Sequence, residues 1–70
     1  MIKAVGERIR QFRLEQNISQ EDLAYEADIL VSQIGRIERG ETNPTISTLY
    51  VISVALKIEL STLLDFKMKK

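Results

Sequence analysis

Catalysis and metal binding draw on a short list of side chains, and much of that list is missing here. The chain has no His and no Cys among its 70 residues. The commonest general base and the commonest catalytic-zinc ligand are therefore absent, as are thiolate ligands and disulfides. Ten Asp and Glu side chains are present, yet no recognisable motif sets two of them as a working pair. No phosphate-binding loop, dinucleotide glycine fingerprint or metal-ligand cluster occurs. The residues point away from an enzyme, and neither a cofactor nor a small-molecule ligand is expected.

Ten Lys and Arg balance the ten acids, so the formal net charge is zero. A nucleic-acid binder usually carries a basic balance, so any such role must rest on where the charges sit. Glu21, Asp22 and Glu26 fall together, whereas Arg10, Arg13, Arg36 and Arg39 fall elsewhere. A neutral sum can thus contain a basic stripe. No apolar run approaches the roughly 20 residues of a membrane span, and Met1-Ile2-Lys3-Ala4 has no signal-peptide apolar region. A cytoplasmic chain is the expectation, with one domain over residues 1–66 and a frayed basic tail over 67–70.

The elements that must position these side chains read as helices. Val5, Ile9 and Phe12 form an apolar stripe with charged flanks, predicting a helix over about 2–16 that Asn17-Ile18 ends. Ser19 with Asp22 three residues on reads as a capping box opening a helix over about 20–27, with Leu23, Ala24 and Ala27 inward. Asp28 follows where the chain must reverse. A third helix fits about 31–39, with Ile34 and Ile37 inward and Gly40 as its stop. Thr45 caps a fourth over about 46–56, whose buried set is Ile46, Leu49, Ile52, Ala55 and Leu56. Lys57-Ile58 turns the chain into a fifth over about 60–66. Five short helices with short connections make an all-α, compact bundle.

Residues 20–39 are two short helices joined by a tight turn. Ala24 allows close approach of the helix axes, and Ile34, ten positions on, would sit against it. That spacing is the one of a helix-turn-helix, whose second helix enters the DNA major groove. Short helix pairs with Ala at the contact also occur in ordinary helical cores.

A wider set of residues resolves the choice. Gly6-Glu7-Arg8-Ile9-Arg10, Arg13, Ile18-Ser19-Gln20-Glu21-Asp22-Leu23-Ala24, Ile34, Arg36-Ile37-Glu38-Arg39-Gly40 and Asn43-Pro44-Thr45 resemble the Cro and phage-repressor type of helix-turn-helix, also called the xenobiotic-response-element family. The likeness runs from about Val5 to Leu64. Its size and layout are similar to small controller proteins of restriction-modification systems and to small phage and plasmid repressors.

The resemblance implies roles. Val31, Ser32, Gln33 and Arg36 would face base edges, with Arg36 the leading reader of a guanine and Val31 set to meet a thymine methyl. Ser19, Gln20, Arg39, Thr42 and Asn43 would meet the phosphate backbone; for Arg39 the alternative is pairing with Glu41. Arg13 and Glu38 would form a partly buried ion pair that orients the third helix. Some positions depart from the family pattern. Asp28 and Lys57 stand where Gly is usual, Leu30 stands at a cap position that favours Ser or Thr, and Gly35 lies inside the third helix. A bare Gly35 would permit close approach to DNA. Leu30, Val31 and Gly35 together leave the recognition surface poor in hydrogen-bonding groups.

Val51 and Val54 lie off the buried stripe of the fourth helix, and Leu60, Leu64 and Phe66 carry apolar character onward. An exposed apolar patch on so small a domain marks an interface. The expectation is a homodimer through these five residues, placing two recognition helices about 34 Å apart on double-stranded DNA; for Leu64 and Phe66 the alternative is a place in the core. The expected function is that of a sequence-specific regulator on a palindromic operator. The alternative is an antitoxin-type or other protein-binding module that uses the same apolar surface.

Overall fold

The computed structural model describes the backbone of residues 2–65 and the side chains of residues 3–65. Phe66 and the tail over 67–70 lie outside the described residues. Five helices follow one another: α1 (Ile2–Glu15), α2 (Gln20–Ala27), α3 (Val31–Glu38), α4 (Ile46–Ala55) and α5 (Leu60–Leu63). No strand occurs among the described residues. The fold is all-α. Helix α3 packs against α1 and α2, α2 also packs against α4, and α5 closes onto α4 and α1. Val5, Ile9, Leu23, Ile34, Ile37, Ile52, Leu56 and Leu63 meet in one core, each 3% exposed or less.

Local sequence explains the boundaries. Ser19 Oγ accepts from the Asp22 backbone N–H at 3.0 Å, and the Asp22 carboxylate accepts from the Ser19 N–H at 3.2 Å. This capping box opens α2. Thr45 Oγ1 accepts from the Thr48 N–H at 3.1 Å and opens α4. Leu30, extended at φ −74° and ψ 142°, leaves α3 without a side-chain cap.

Four helices end in the same way. Asn17, Asp28, Gly40 and Lys57 take left-handed φ of 63°, 60°, 74° and 61°. In each case the next residue's N–H reaches back to a carbonyl one turn inside the helix: Ile18 to Arg13, Ile29 to Ala24, Glu41 to Arg36, and Ile58 to Ser53. These are Schellman endings. In three of them the following residue is Ile (Ile18, Ile29 and Ile58), and each packs against the core. Asp and Lys at positions that favour Gly therefore keep the turn at the cost of some backbone strain.

Two expectations need correction. Ile46, expected to be buried, is 65% exposed. The buried face of α4 is Leu49, Ile52, Ser53 and Leu56, in which Ser53 satisfies its hydroxyl on the Tyr50 carbonyl at 2.7 Å. Ile46 lies a turn before that face begins, and its side chain points away from the core. Helix α5 ends at Leu63 rather than about 66: Leu64 leaves helical geometry at φ −94° and ψ 6°, and the Asp65 N–H turns tightly back to the Thr62 carbonyl at 3.2 Å. Arg8 Nη2 donates to the Thr62 carbonyl at 2.6 Å and Nε to that of Leu63 at 3.4 Å. Those two hydrogen bonds tie α1 to the end of α5, and the same guanidinium lies 4.9 Å from the centre of the Phe12 ring one turn on in α1.

Candidate nucleic-acid interface

A buried polar network sets the pose of α3. Arg13 Nε and Nη2 donate to the two Glu38 oxygens at 2.7 and 3.0 Å, across 25 residues of sequence. Arg13 Nη1 donates to the Ile18 carbonyl at 3.0 Å, and Gln20 Nε2 donates to Glu38 Oε1 at 3.0 Å. The two charged side chains are 9% and 2% exposed. The Glu38 hydrogen bond holds the Arg13 guanidinium above its ordinary pKa, against the opposing effect of burial. No buried side-chain polar atom among the described residues lacks a partner. One fork thus joins the end of α1, the start of α2 and the end of α3.

Gly6 is the second positioning device. It is buried in α1, where that helix crosses the end of α3. A Cβ there would collide with the Ile37 carbonyl oxygen and lie 2.9 Å from that of Glu38. Only glycine permits this crossing without movement of the backbone.

On the outer side of α3, Val31, Ser32 and Arg36 are exposed and Gln33 is half-buried. None of these four makes a side-chain hydrogen bond among the described residues. Thr42 is half-buried and Asn43 exposed on the loop that follows. Three of the remaining candidates are engaged within the protein. The Ser19 hydroxyl serves the capping box, Gln20 serves Glu38, and Arg39 forms a fork with Glu41 at 2.8 and 3.2 Å. Arg39 therefore takes the alternative partner that the sequence offered. That hydrogen-bonded pair holds Glu41 below the usual carboxylate range, and the charges of Arg39 and Arg36 act in the same direction.

Gly35 falls between Val31 and Ser32 around α3, under a cover of side chains. It is buried, and a Cβ there would lie 3.0 Å from Arg39 Nη1 and 3.7 Å from Gln20 Oε1. The side chains of Gln20 and Arg39 thus lie over it in this structure.

The expected interface residues also divide. Val54 is 55% exposed, while Val51, Leu60 and Leu64 are half-buried against the core. The outward stripe of α4 is instead Ile46, Tyr50 and Val54, at 65%, 57% and 55% exposure and four residues apart. Ile46 and Tyr50 lie outside the interface that the sequence predicts, which places Ile46 inward. A stripe at i, i+4 and i+8 beside the core stripe was the available signal.

Among the described residues no cluster of Asp and Glu could hold a metal ion, and no helix is long and apolar enough to cross a membrane. The helix-turn-helix family model matches residues 9–63. The chain belongs to that family. Within it, the chain is 44% identical over 62 residues to the control protein C.BamHI of Bacillus amyloliquefaciens, covering 87% of this chain and 76% of that one. The restriction-modification controller protein C.AhdI from Aeromonas hydrophila superposes with a TM-score of 0.87 at 32% identity, over 89% of this chain and 94% of that one. The controller protein C.Esp1396I superposes at 0.86 and 33% identity, over 91% and 84%; its structure is a tetramer in complex with its natural 35-base-pair operator.

Proposed function

We propose that this helix-turn-helix protein is a sequence-specific DNA-binding transcriptional regulator that works as a homodimer on a palindromic operator and catalyses no reaction. The observation that carries the reading is Arg36. Its guanidinium is exposed and has no internal hydrogen-bond partner among the described residues, on a helix whose pose is set by Arg13, Glu38 and Gly6. A fork-shaped donor presented on a braced helix suits the two acceptors of a guanine in the major groove. Ser32 and Gln33 add hydrogen-bonding groups beside it, and Val31 meets a thymine methyl. Thr42 and Asn43 follow the backbone, with Ser19, Gln20 and Arg39 flanking them.

The Ile46-Tyr50-Val54 stripe supports association of two copies, with half-buried Val51, Leu60 and Leu64 contributing what remains uncovered. C.Esp1396I, bound to its operator as a tetramer, supports both the DNA and the assembly parts of the reading. No membrane-spanning helix occurs among the described residues, and a cytoplasmic regulator fits that. Gel filtration beside a mobility-shift assay on genomic fragments tests the reading. The expected result is a dimer that shifts a discrete fragment. A monomer that ignores every fragment at low salt would replace it with a protein-binding role for the α4 surface.

A further inference from the structure

Arg39 sits just after α3 and is held from two sides. Beneath it, Gly35 has no side chain, and Arg39 Nη1 occupies the space where a Cβ would crowd it at 3.0 Å. Beside it, both Glu41 oxygens accept from its Nε and Nη2, at 2.8 and 3.2 Å. Two donor positions of a guanidinium against two oxygens is the geometry by which arginine grips a phosphate. The pair is exposed, 58% and 54% by side chain, so the same groups are open to a duplex. Glu41 also follows α3 closely enough for its charge to be felt with that of Arg36.

We propose that Glu41 is an autoinhibitory competitor for the DNA backbone: it occupies Arg39 as an internal substitute for a phosphate, and backbone binding requires that it be displaced. The proposal rests on the reading of Arg39 as a backbone contact and goes beyond it by assigning Glu41 a role. Its consequence is independent of base sequence. Opening an exposed ion pair lowers affinity by about 1.5-fold to fivefold per protomer. For a dimer using both copies the factors multiply, up to about 25-fold. Once the pair has opened, Arg39 meets the same phosphate with or without Glu41, so the cost appears in the affinity and not in how steeply affinity falls with salt. A small protein of zero net charge would thereby be kept off bulk DNA.

The test is a double-mutant cycle on a mixed-sequence duplex, read by fluorescence anisotropy across a salt series. The proteins are the wild type, Glu41→Gln, Arg39→Ala and the double variant, with thermal melts to show that each is folded. Both residues are more than half exposed, so folding is expected to survive. Glu41→Gln should bind the duplex about 1.5-fold to fivefold more tightly per protomer. Its salt slope should match that of the wild type, whereas Arg39→Ala should lower the slope by about one per protomer. In the Arg39→Ala background the same substitution should give no gain. No gain in either background overturns the proposal, as does an equal gain in both, which would mark a simple loss of negative charge. A wild type that binds no duplex at low salt overturns the DNA-binding reading itself, and the competitor role with it.

Discussion

Removing one member of the Arg13–Glu38 pair should cost far more than removing both. In Glu38→Ala, a guanidinium with 9% side-chain exposure keeps the Ile18 carbonyl and loses both carboxylate oxygens. In Arg13→Ala, a carboxylate with 2% exposure keeps one bond, from the Gln20 amide. Each single change strands a buried charge, a loss of about 3–5 kcal/mol. A domain of this length has about 3.5–10 kcal/mol in total, so each single variant loses about a third of its stability or more, with a melting point lower by at least about 12 °C. Arg13→Met with Glu38→Leu removes both charges together. Gln20 is half-buried, so water can replace its lost acceptor. That double variant should lie within about 1 kcal/mol of the wild type. The assay is urea denaturation followed by circular dichroism at one fixed protein concentration, since dimerisation makes stability concentration-dependent. Additive losses, with the double variant worse than either single, would refute the reasoning. So would single changes that cost under about 1 kcal/mol, the range of an exposed pair.

Gly6→Ala places a Cβ against the Ile37 and Glu38 carbonyls and should destabilise by about 1–3 kcal/mol in the same denaturation experiment. Leu30→Ser gives α3 the cap it lacks and should raise stability by about 1 kcal/mol. Arg36→Ala should lose about 1–3 kcal/mol of affinity at one base pair, whereas Gln20→Ala should weaken all sequences alike, both read by competition titration with single-base variants. Glu41 lies below the usual carboxylate range because of Arg39, so its pair contributes above the unfolded value and is lost as pH falls through the lowered one. A carbon-13 titration of its carboxyl should move upward in Arg39→Ala.

Much of the fold was legible because local signals agreed with one another. The capping box at Ser19 and Asp22 fixed where α2 begins, and the alternation of Leu23, Ala24 and Ala27 fixed its inner face. The helix ends were legible at Asn17-Ile18 and Lys57-Ile58, although neither pair contains Gly. The left-handed residue and the apolar residue behind it were written side by side. Tertiary contacts were less legible. The contact of Arg8 with the end of α5 spans more than fifty residues of sequence and leaves no local signal. Ile46 reads as core by type, yet among the described residues nothing packs outside the first turn of α4 to cover it. The cover that Gln20 and Arg39 lay over Gly35 was not legible, because helix propensity does not say which side chains close over a glycine. The Arg13–Glu38 pairing entered through family resemblance; no spacing rule links residues 25 apart. Charge totals were the least informative signal. A net charge of zero concealed arginines in three different settings: Arg13 buried against Glu38, Arg39 closed on Glu41, and Arg36 open.

Enrichment of binding sites from random duplex DNA, followed by sequencing, tests the central claim most directly. The account predicts a two-fold symmetric motif whose half-sites are centred about 10 base pairs apart or a multiple of that. Repeating the selection with Arg36→Ala should erase preference at one position in each half. Failure of the wild type to enrich any sequence, or enrichment of a motif unchanged by Arg36→Ala, would contradict it.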